Sequence, residues 1–325
     1  MITPEGHMEK LTVNQFKPDT RFEGVLLVRR AEGRTDKNDR FYIDMNLADR
    51  TGEINCKMWP WKEEAVPRSG SAIWVRGMIT EFNSRLQMKV ETWEPAEKRG
   101  PVDMSLLIPV APRSAEDMLQ EIRDTVAAFG SGSLRRLTEE MLRMAGDRLS
   151  YFPAAQRIHH AEQAGLLHHT TDMLRVAKSV AEIYPFLNRD LLLAGVILHD
   201  LGKIDELASD ENGNVTDYTR DGQLTGHLVR GAMNLRRAAE AAGVGGEMTA
   251  LLEHMVLSHH GEPEYGSPRP PMFPEAEALH WIDMMDSRLN TMKAVMDRTP
   301  PGVFSEKAPF LDRRIYHPRY TEDAE

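Results

Sequence analysis

Residues 192–204 read LLAGVILHDLGKI. A run of apolar residues and glycine ends in His199 and Asp200 side by side, and Lys203 follows three positions later. An ionised aspartate at the end of a buried helix is costly to desolvate unless a cation meets it. A metal removes that cost, and a carboxylate can bridge two cations where an imidazole normally does not. Asp200 is therefore the expected bridge of a metal centre. Further imidazoles and carboxylates sit beside other apolar stretches. They are His168 and His169 in GLLHHTTDML, His227 in GQLTGHL, His254, His259 and His260 in LLEHMVLSHHGEPEYGSP, and His280, Asp283 and Asp286 in LHWIDMMDSRLN. This is a borderline N/O donor set that suits Mn, Fe, Co, Ni or Zn and not a soft thiolate site. One buried histidine is more often a core residue with two hydrogen bonds. Five such groups on successive helices are hard to explain that way. His159, His160, His280 and His317 read as structural or surface residues. His168 and His169 point apart on a helix, so one of the two reaches a shared centre.

Helices must carry these ligands. From Ser114 onward the apolar period is helical over 115–128, 133–146, 155–183, 189–200, 223–242, 246–259 and 274–296. Ser114 with Asp117 reads as the cap of the first. Before Ser114 the pattern changes. FEGVLLVRR (22–30), FYIDMNLAD (41–49), GEINCKMW (52–59), SAIWVRGMI (71–79) and RLQMKVETW (85–93) read as five strands, with a turn at Asp49-Arg50-Thr51-Gly52. Five strands in so short a stretch suggest an OB-like barrel, with a five-stranded sheet of another topology as the alternative. Residues 94–113 hold four prolines. The expected fold class is α+β in two domains: a five-stranded OB-like β-barrel over residues 1–95, a linker over 96–113, and an all-α domain over 114–298. Residues 299–325 are expected to pack as an irregular tail on the helical domain or on a neighbouring subunit.

The chain has 325 residues, 41% hydrophobic and 28% charged, as in soluble globular proteins. No apolar run is long enough to span a bilayer, and no apolar signal-peptide core opens the sequence. Cys56 is the only cysteine, so no intramolecular disulfide forms, and the cytoplasm is the expected compartment. The net charge of −10 argues weakly against nucleic acid, but its distribution does not. Residues 1–95 hold 15 Lys/Arg against 15 Asp/Glu; the remaining 25 and 35 place the whole deficit in the helical part. The strand region interleaves basic residues with aromatics, as single-strand binders do. Alternation sends Tyr42 to the face opposite Phe41 and Ile43. Arg29, Tyr42 and Arg85 are the candidates for nucleic-acid contact there, and most other strand aromatics read as core.

His169, then His199-Asp200, then Asp283 match the H…HD…D signature of the HD-domain metal-dependent phosphohydrolases. His227 and His259-His260-Gly261 resemble the subset that binds two metals. The barrel-then-HD order, with LNRDLLLAGVILHDLGK, LSHHGEPEYGSP and PGVFSEKAPFLDRRIY, resembles the YhaM-type 3′–5′ exoribonucleases over nearly the whole chain. The resemblance implies an HD-type helical domain and two divalent ions, Mn first, with Fe, Co, Ni or Zn as alternatives. It implies His169, His199, Asp200 and Asp283 at one ion, and Asp200, His227, His259 and His260 at the other, with His254 in reserve. The GLLxHT frame selects His169 over His168. It implies 3′–5′ hydrolysis of single-stranded RNA, with single-stranded DNA as a further substrate, and a homo-oligomer. Asp200 and Lys203 are the expected catalytic pair, Lys203 supplying a point charge to the phosphate. Tyr265, Arg269 and Arg288 are candidate substrate contacts. Two rival readings stand beside this one: an HD phosphohydrolase of nucleotides or cyclic nucleotides, and a non-catalytic single-strand-binding factor.

Overall fold

The computed structural model describes residues 11–59, 65–82, 85–155, 160, 162–210, 213–308 and 310–320. The chain divides into two compact units, residues 1–110 and 111–325.

The first unit is a closed barrel. Its strands are β1 (Arg21–Thr35), β2 (Phe41–Asp49), β3 (Gly52–Met58), β4 (Ala72–Phe82) and β5 (Arg85–Pro95), joined in the order β1-β2-β3-β5-β4. All pairings are antiparallel except β3 with β5, which is parallel. Alternation decides what is inside. Ile43, Met45 and Leu47 of β2 are buried, whereas Tyr42, Asp44 and Asn46 between them stay partly open. Strand β1 serves both neighbours: residues 21–27 pair with β4, and residues from 27 onward pair with β2. A bulge at Arg29, where Val28 and Arg30 face consecutive residues of β2, bends the strand to close the cylinder. At the β2–β3 turn the Asp49 carboxylate accepts the Thr51 N–H and hydroxyl at 2.7 and 2.6 Å. Residues 96–110, read from sequence as part of a linker, make two short 3-10 turns and bury Ala96, Leu107 and Ile108 against Leu27 and Ala72.

The second unit is built on α1 (Ala115–Ala127), α2 (Gly132–Ala145), α3 (Gly165–Ile183), α4 (Arg189–Leu198), α5 (Lys203–Glu206), α6 (Arg220–Ala242), α7 (Glu247–Ser258) and α8 (Pro274–Met296). Ser114 caps α1 by accepting the Asp117 N–H, and Asn188 caps α4 by accepting the Leu191 N–H. Every residue of α4 from Leu191 to Leu198 is buried, so this helix is the axis of the core, contacting α3, α7 and α8. None of the helices among the described residues is long and apolar enough to cross a membrane.

Three sequence expectations change. The helix expected from residue 155 starts at Gly165, and Ala164 before it has a left-handed φ of 59°. Residues 156–159, including His159, lie outside the described residues. The helical unit also holds a small sheet of β6 (Leu207–Ser209) and β7 (Val215–Tyr218) between α5 and α6. The tail is not irregular: β8 (Phe304–Ala308) and β9 (Arg313–Tyr316) form a hairpin. Ala308, Leu311 and Ile315 of this hairpin pack against Met292, Val295 and Met296 of α8. Strands this short, flanked by prolines, carry too few alternations to be read from sequence.

Candidate metal centre

Five helical elements bring their ligands to Asp200. The residue follows α4 and is only 3% exposed. Its two oxygens face different groups. Oδ2 lies 3.4 Å from His199 Nε2, 3.8 Å from His169 Nε2 and 2.6 Å from Lys203 Nζ. Oδ1 lies 3.6 Å from His259 Nε2 and 3.7 Å from His227 Nε2. Asp283 Oδ1 is 3.3 Å from His169 Nε2, and His260 Nε2 is 3.3 Å from His227 Nε2.

The histidines share one rule of orientation. Each uses Nδ1 for an outward hydrogen bond and turns Nε2 inward. His199 Nδ1–H donates to the Val196 carbonyl at 2.9 Å, and His259 Nδ1–H to the Val256 carbonyl at 2.8 Å. His260 donates to the Tyr265 carbonyl, His227 to Glu206 Oε2, and His169 to Asp286 Oδ2. With Nδ1 carrying the proton, a neutral imidazole has a bare lone pair at Nε2. These lone pairs converge on carboxylate oxygens, so acceptors face acceptors. His199 Nε2, His259 Nε2 and Asp200 Oδ1 are buried and have no hydrogen-bond partner. Such groups are satisfied by a cation, and the outward partners are those that fix metal-binding imidazoles. The residues therefore fit a divalent cation of the borderline class.

The electrostatics agree. Burial alone would raise the Asp200 carboxyl, but Lys203 and His199 outweigh it and hold the group well below the usual carboxylate range. Burial pushes His259 down to about 3, keeping it neutral and able to bind metal. His169 is the exception: burial would lower it, yet Asp283 and Asp286 overcome this and hold the imidazole up at about 10, so a cation bound there displaces the proton on its Nε2. Burial opposes the charge on Lys203, and Asp200 restores it.

Local backbone features make the convergence possible. Gly202 lets α6 approach: a Cβ there would lie 2.2 Å from the His227 carbonyl oxygen. Gly226, at φ 68° and ψ 167°, breaks α6 just before His227. Glu206 caps the restarted helix by accepting the His227 N–H at 3.2 Å while holding its Nδ1 at 2.9 Å.

Of the residues expected from sequence, His169, His199, Asp200, Lys203, His227, His259, His260 and Asp283 come together. His254 does not join them: its Nε2 accepts the Met272 N–H at 3.0 Å and its ring packs on Phe273. Tyr265 supplies its carbonyl to His260 and exposes its ring. Arg269 is exposed and Arg288 half-buried. In the barrel, Arg29 is the bulged residue of β1. Tyr42 stacks on Trp59 with centroids 5.6 Å apart, and Lys57 Nζ lies 5.5 Å over the Tyr42 ring. Arg85 opens β5, and its side chain lies outside the described residues. Sequence reasoning gave no role to Glu206, and it placed Asp286 in the donor set without making it the partner of His169. It left His160 and His280 as structural or surface groups. His160 is buried on Asp286, and His280 holds the His259 carbonyl at 2.7 Å. A carboxylate three residues from Asp283 on the same helix was the available signal for Asp286.

A closed five-stranded barrel followed by a helical unit with this histidine–aspartate centre defines an HD-domain hydrolase carrying an OB-fold. The HD domain family matches residues 166–290, and the family described as OB-fold nucleic acid binding domain matches residues 22–96. The 3′–5′ exoribonuclease YhaM of Listeria monocytogenes serovar 1/2a is 39% identical over 316 residues, covering 96% of this chain and 100% of the relative. The same-named protein of Listeria innocua serovar 6a is also 39% identical over 316 residues, with the same coverage of 96% and 100%. That of Halalkalibacterium halodurans is 36% identical over 303 residues, 92% of this chain and 94% of the relative. The chain belongs to the YhaM family of 3′–5′ exoribonucleases.

Proposed function

We propose that this protein is a metal-dependent 3′–5′ exoribonuclease that degrades single-stranded RNA, with Asp200 as the ligand that two divalent-ion sites would share. His169, His199 and Asp283 complete one site; His227, His259 and His260 complete the other. The observation that carries this reading is the split of Asp200, one oxygen toward His169 and His199 and the other toward His227 and His259. When bound, such ions supply hydroxide near neutral pH and neutralise charge on the scissile phosphate. The protein's own groups do the rest. The Nδ1 partners hold each imidazole in the metal-binding tautomer. Lys203 steadies Asp200 and places a positive charge where phosphate charge develops.

Manganese is the proposed ion and the cytoplasm the proposed compartment. Residues 1–95 are the proposed nucleic-acid-binding domain, with residues 96–110 packed on it, and residues 114–298 the proposed hydrolytic domain. Tyr265, Arg269 and Arg288 border the bound strand. In the barrel, Arg29 and Arg85 meet phosphates, and the Tyr42–Trp59 stack offers a base platform, since every base has a π-face. Single-stranded DNA is a second substrate, and the working form is a homo-oligomer.

The test is 5′-labelled single-stranded RNA with Mn²⁺ or EDTA, beside Asp200→Ala. A ladder that shortens from the 3′ end, needs metal and is absent in the variant supports the proposal. Intact RNA with turnover of a mononucleotide or cyclic nucleotide replaces it with the small-molecule phosphohydrolase. RNA binding without metal-dependent turnover of any of these leaves a binding factor.

A further inference from the structure

A second group of imidazoles and carboxylates lies on the outer side of His169, and the hydrolytic reading does not use it. His160 and Glu162 precede α3, and His168 is in its first turn. Their side chains are 1%, 19% and 13% exposed. His160 Nδ1 and His168 Nδ1 are 3.1 Å apart. Glu162 Oε1 lies 2.6 Å from His168 Nδ1 and 3.6 Å from His160 Nδ1. Three potential ligand atoms therefore point at one spot.

The backing of the two imidazoles matters more than their closeness. His160 Nε2 is held by Asp286 Oδ2 at 2.8 Å, and His168 Nε2 by Asp172 Oδ2 at 3.2 Å. Each ring thus gives its outer nitrogen to a carboxylate and turns the other inward. This is the carboxylate–histidine arrangement that orients metal-binding imidazoles. It inverts the rule of the hydrolytic centre, where Nδ1 faces outward. The ligand–ligand gaps of 2.6 to 3.6 Å bracket those expected around a small ion with bonds of ~2.0–2.2 Å. The segment is anchored to receive one: the His160 N–H donates to Asn290 Oδ1 and its carbonyl accepts the Ala154 N–H.

We propose that His160 Nδ1, Glu162 Oε1 and His168 Nδ1 form a further divalent-cation site of the zinc type, separate from the ions at Asp200. Three protein ligands leave room for water in the fourth position. Asp286 joins the two places, because its Oδ2 accepts from both His160 and His169. An ion here ties the stretch before α3 to the helix that presents His169. The inference does not depend on which substrate the Asp200 centre hydrolyses.

Zinc content per chain, measured by mass spectrometry after Zn²⁺ loading and desalting, tests this on the full-length protein. Glu162→Gln and His168→Gln should each bind one ion fewer than the parent. The ion that Glu162→Gln removes should persist in Asp200→Ala, which separates this site from the hydrolytic one. Unchanged zinc content in both variants, with unchanged circular dichroism, overturns the proposal. Where a variant fails to fold, anomalous diffraction from Zn²⁺-loaded parent crystals decides. A peak among the three atoms supports the site. No peak there, with occupied ions at Asp200, rejects it in favour of a protonated His168 held between Glu162 and Asp172.

Discussion

At the residue scale, the centre depends on groups that never touch an ion. Glu206 and Asp286 accept the outward Nδ1–H of His227 and His169. Replacing either carboxylate by its amide keeps the volume but weakens the acceptor and offers an N–H in its place. Glu206→Gln and Asp286→Asn should each lower metal affinity by roughly 10- to 100-fold. Mn²⁺ titration calorimetry checks this, and wild-type affinity in both variants would refute the role given to these carboxylates. Asp200 was legible in the sequence because a charged residue at the end of an unbroken apolar helix demands a partner. Glu206 was not: it ends a one-turn helix, with no apolar run to mark it as buried. His160 was hidden for a different reason. Its carboxylate partner Asp286 is 126 positions away, and no local pattern announces such a contact.

At the element scale, close approach of backbones sets the geometry. Gly202 and the His227 carbonyl leave no room for a methyl group between α5 and α6. Gly202→Ala should push His227 away from Asp200 and cut metal-dependent hydrolysis by at least about tenfold, whereas a 1 Å misplacement can cost about 100-fold. A variant with full activity would show that α6 can shift without consequence. Leu192, fully buried in α4, makes the complementary test, since Leu192→Ala should destabilise the helical unit by about 2–5 kcal/mol. Urea unfolding measures it, and a loss below about 1 kcal/mol would mean that α4 is not the axis of the core. The barrel strands were legible because their alternation runs for seven residues or more, long enough to fix both period and face. The start of α3 was not, because the left-handed φ of 59° at Ala164, which sets the helix to begin at Gly165, has no signal in the residue type. The β8–β9 hairpin was hidden too: its buried apolar residues Ala308, Leu311 and Ile315 pack on α8, a contact that only the tertiary fold creates.

At the scale of the whole molecule, two compact units should respond differently to metal removal. The helical unit gathers Asp200, Asp283, Asp286 and Glu206 around one cluster of imidazoles, and bound ions stabilise that state alone. The unfolded chain does not preform the site, so binding adds to folding stability by mass action. At a free ion concentration of 100 times Kd the gain is about 2.7 kcal/mol. For a unit of this size that corresponds to roughly 5–11 °C in Tm. Scanning calorimetry with Mn²⁺ and then with excess EDTA should move the transition of the helical unit by this amount and leave that of the barrel in place. Asp200→Ala should lose most of the difference, because the shared ligand is gone. A transition that ignores EDTA in the parent protein would show that the converging lone pairs are satisfied without a metal. Movement of both transitions together would show instead that the units unfold as one.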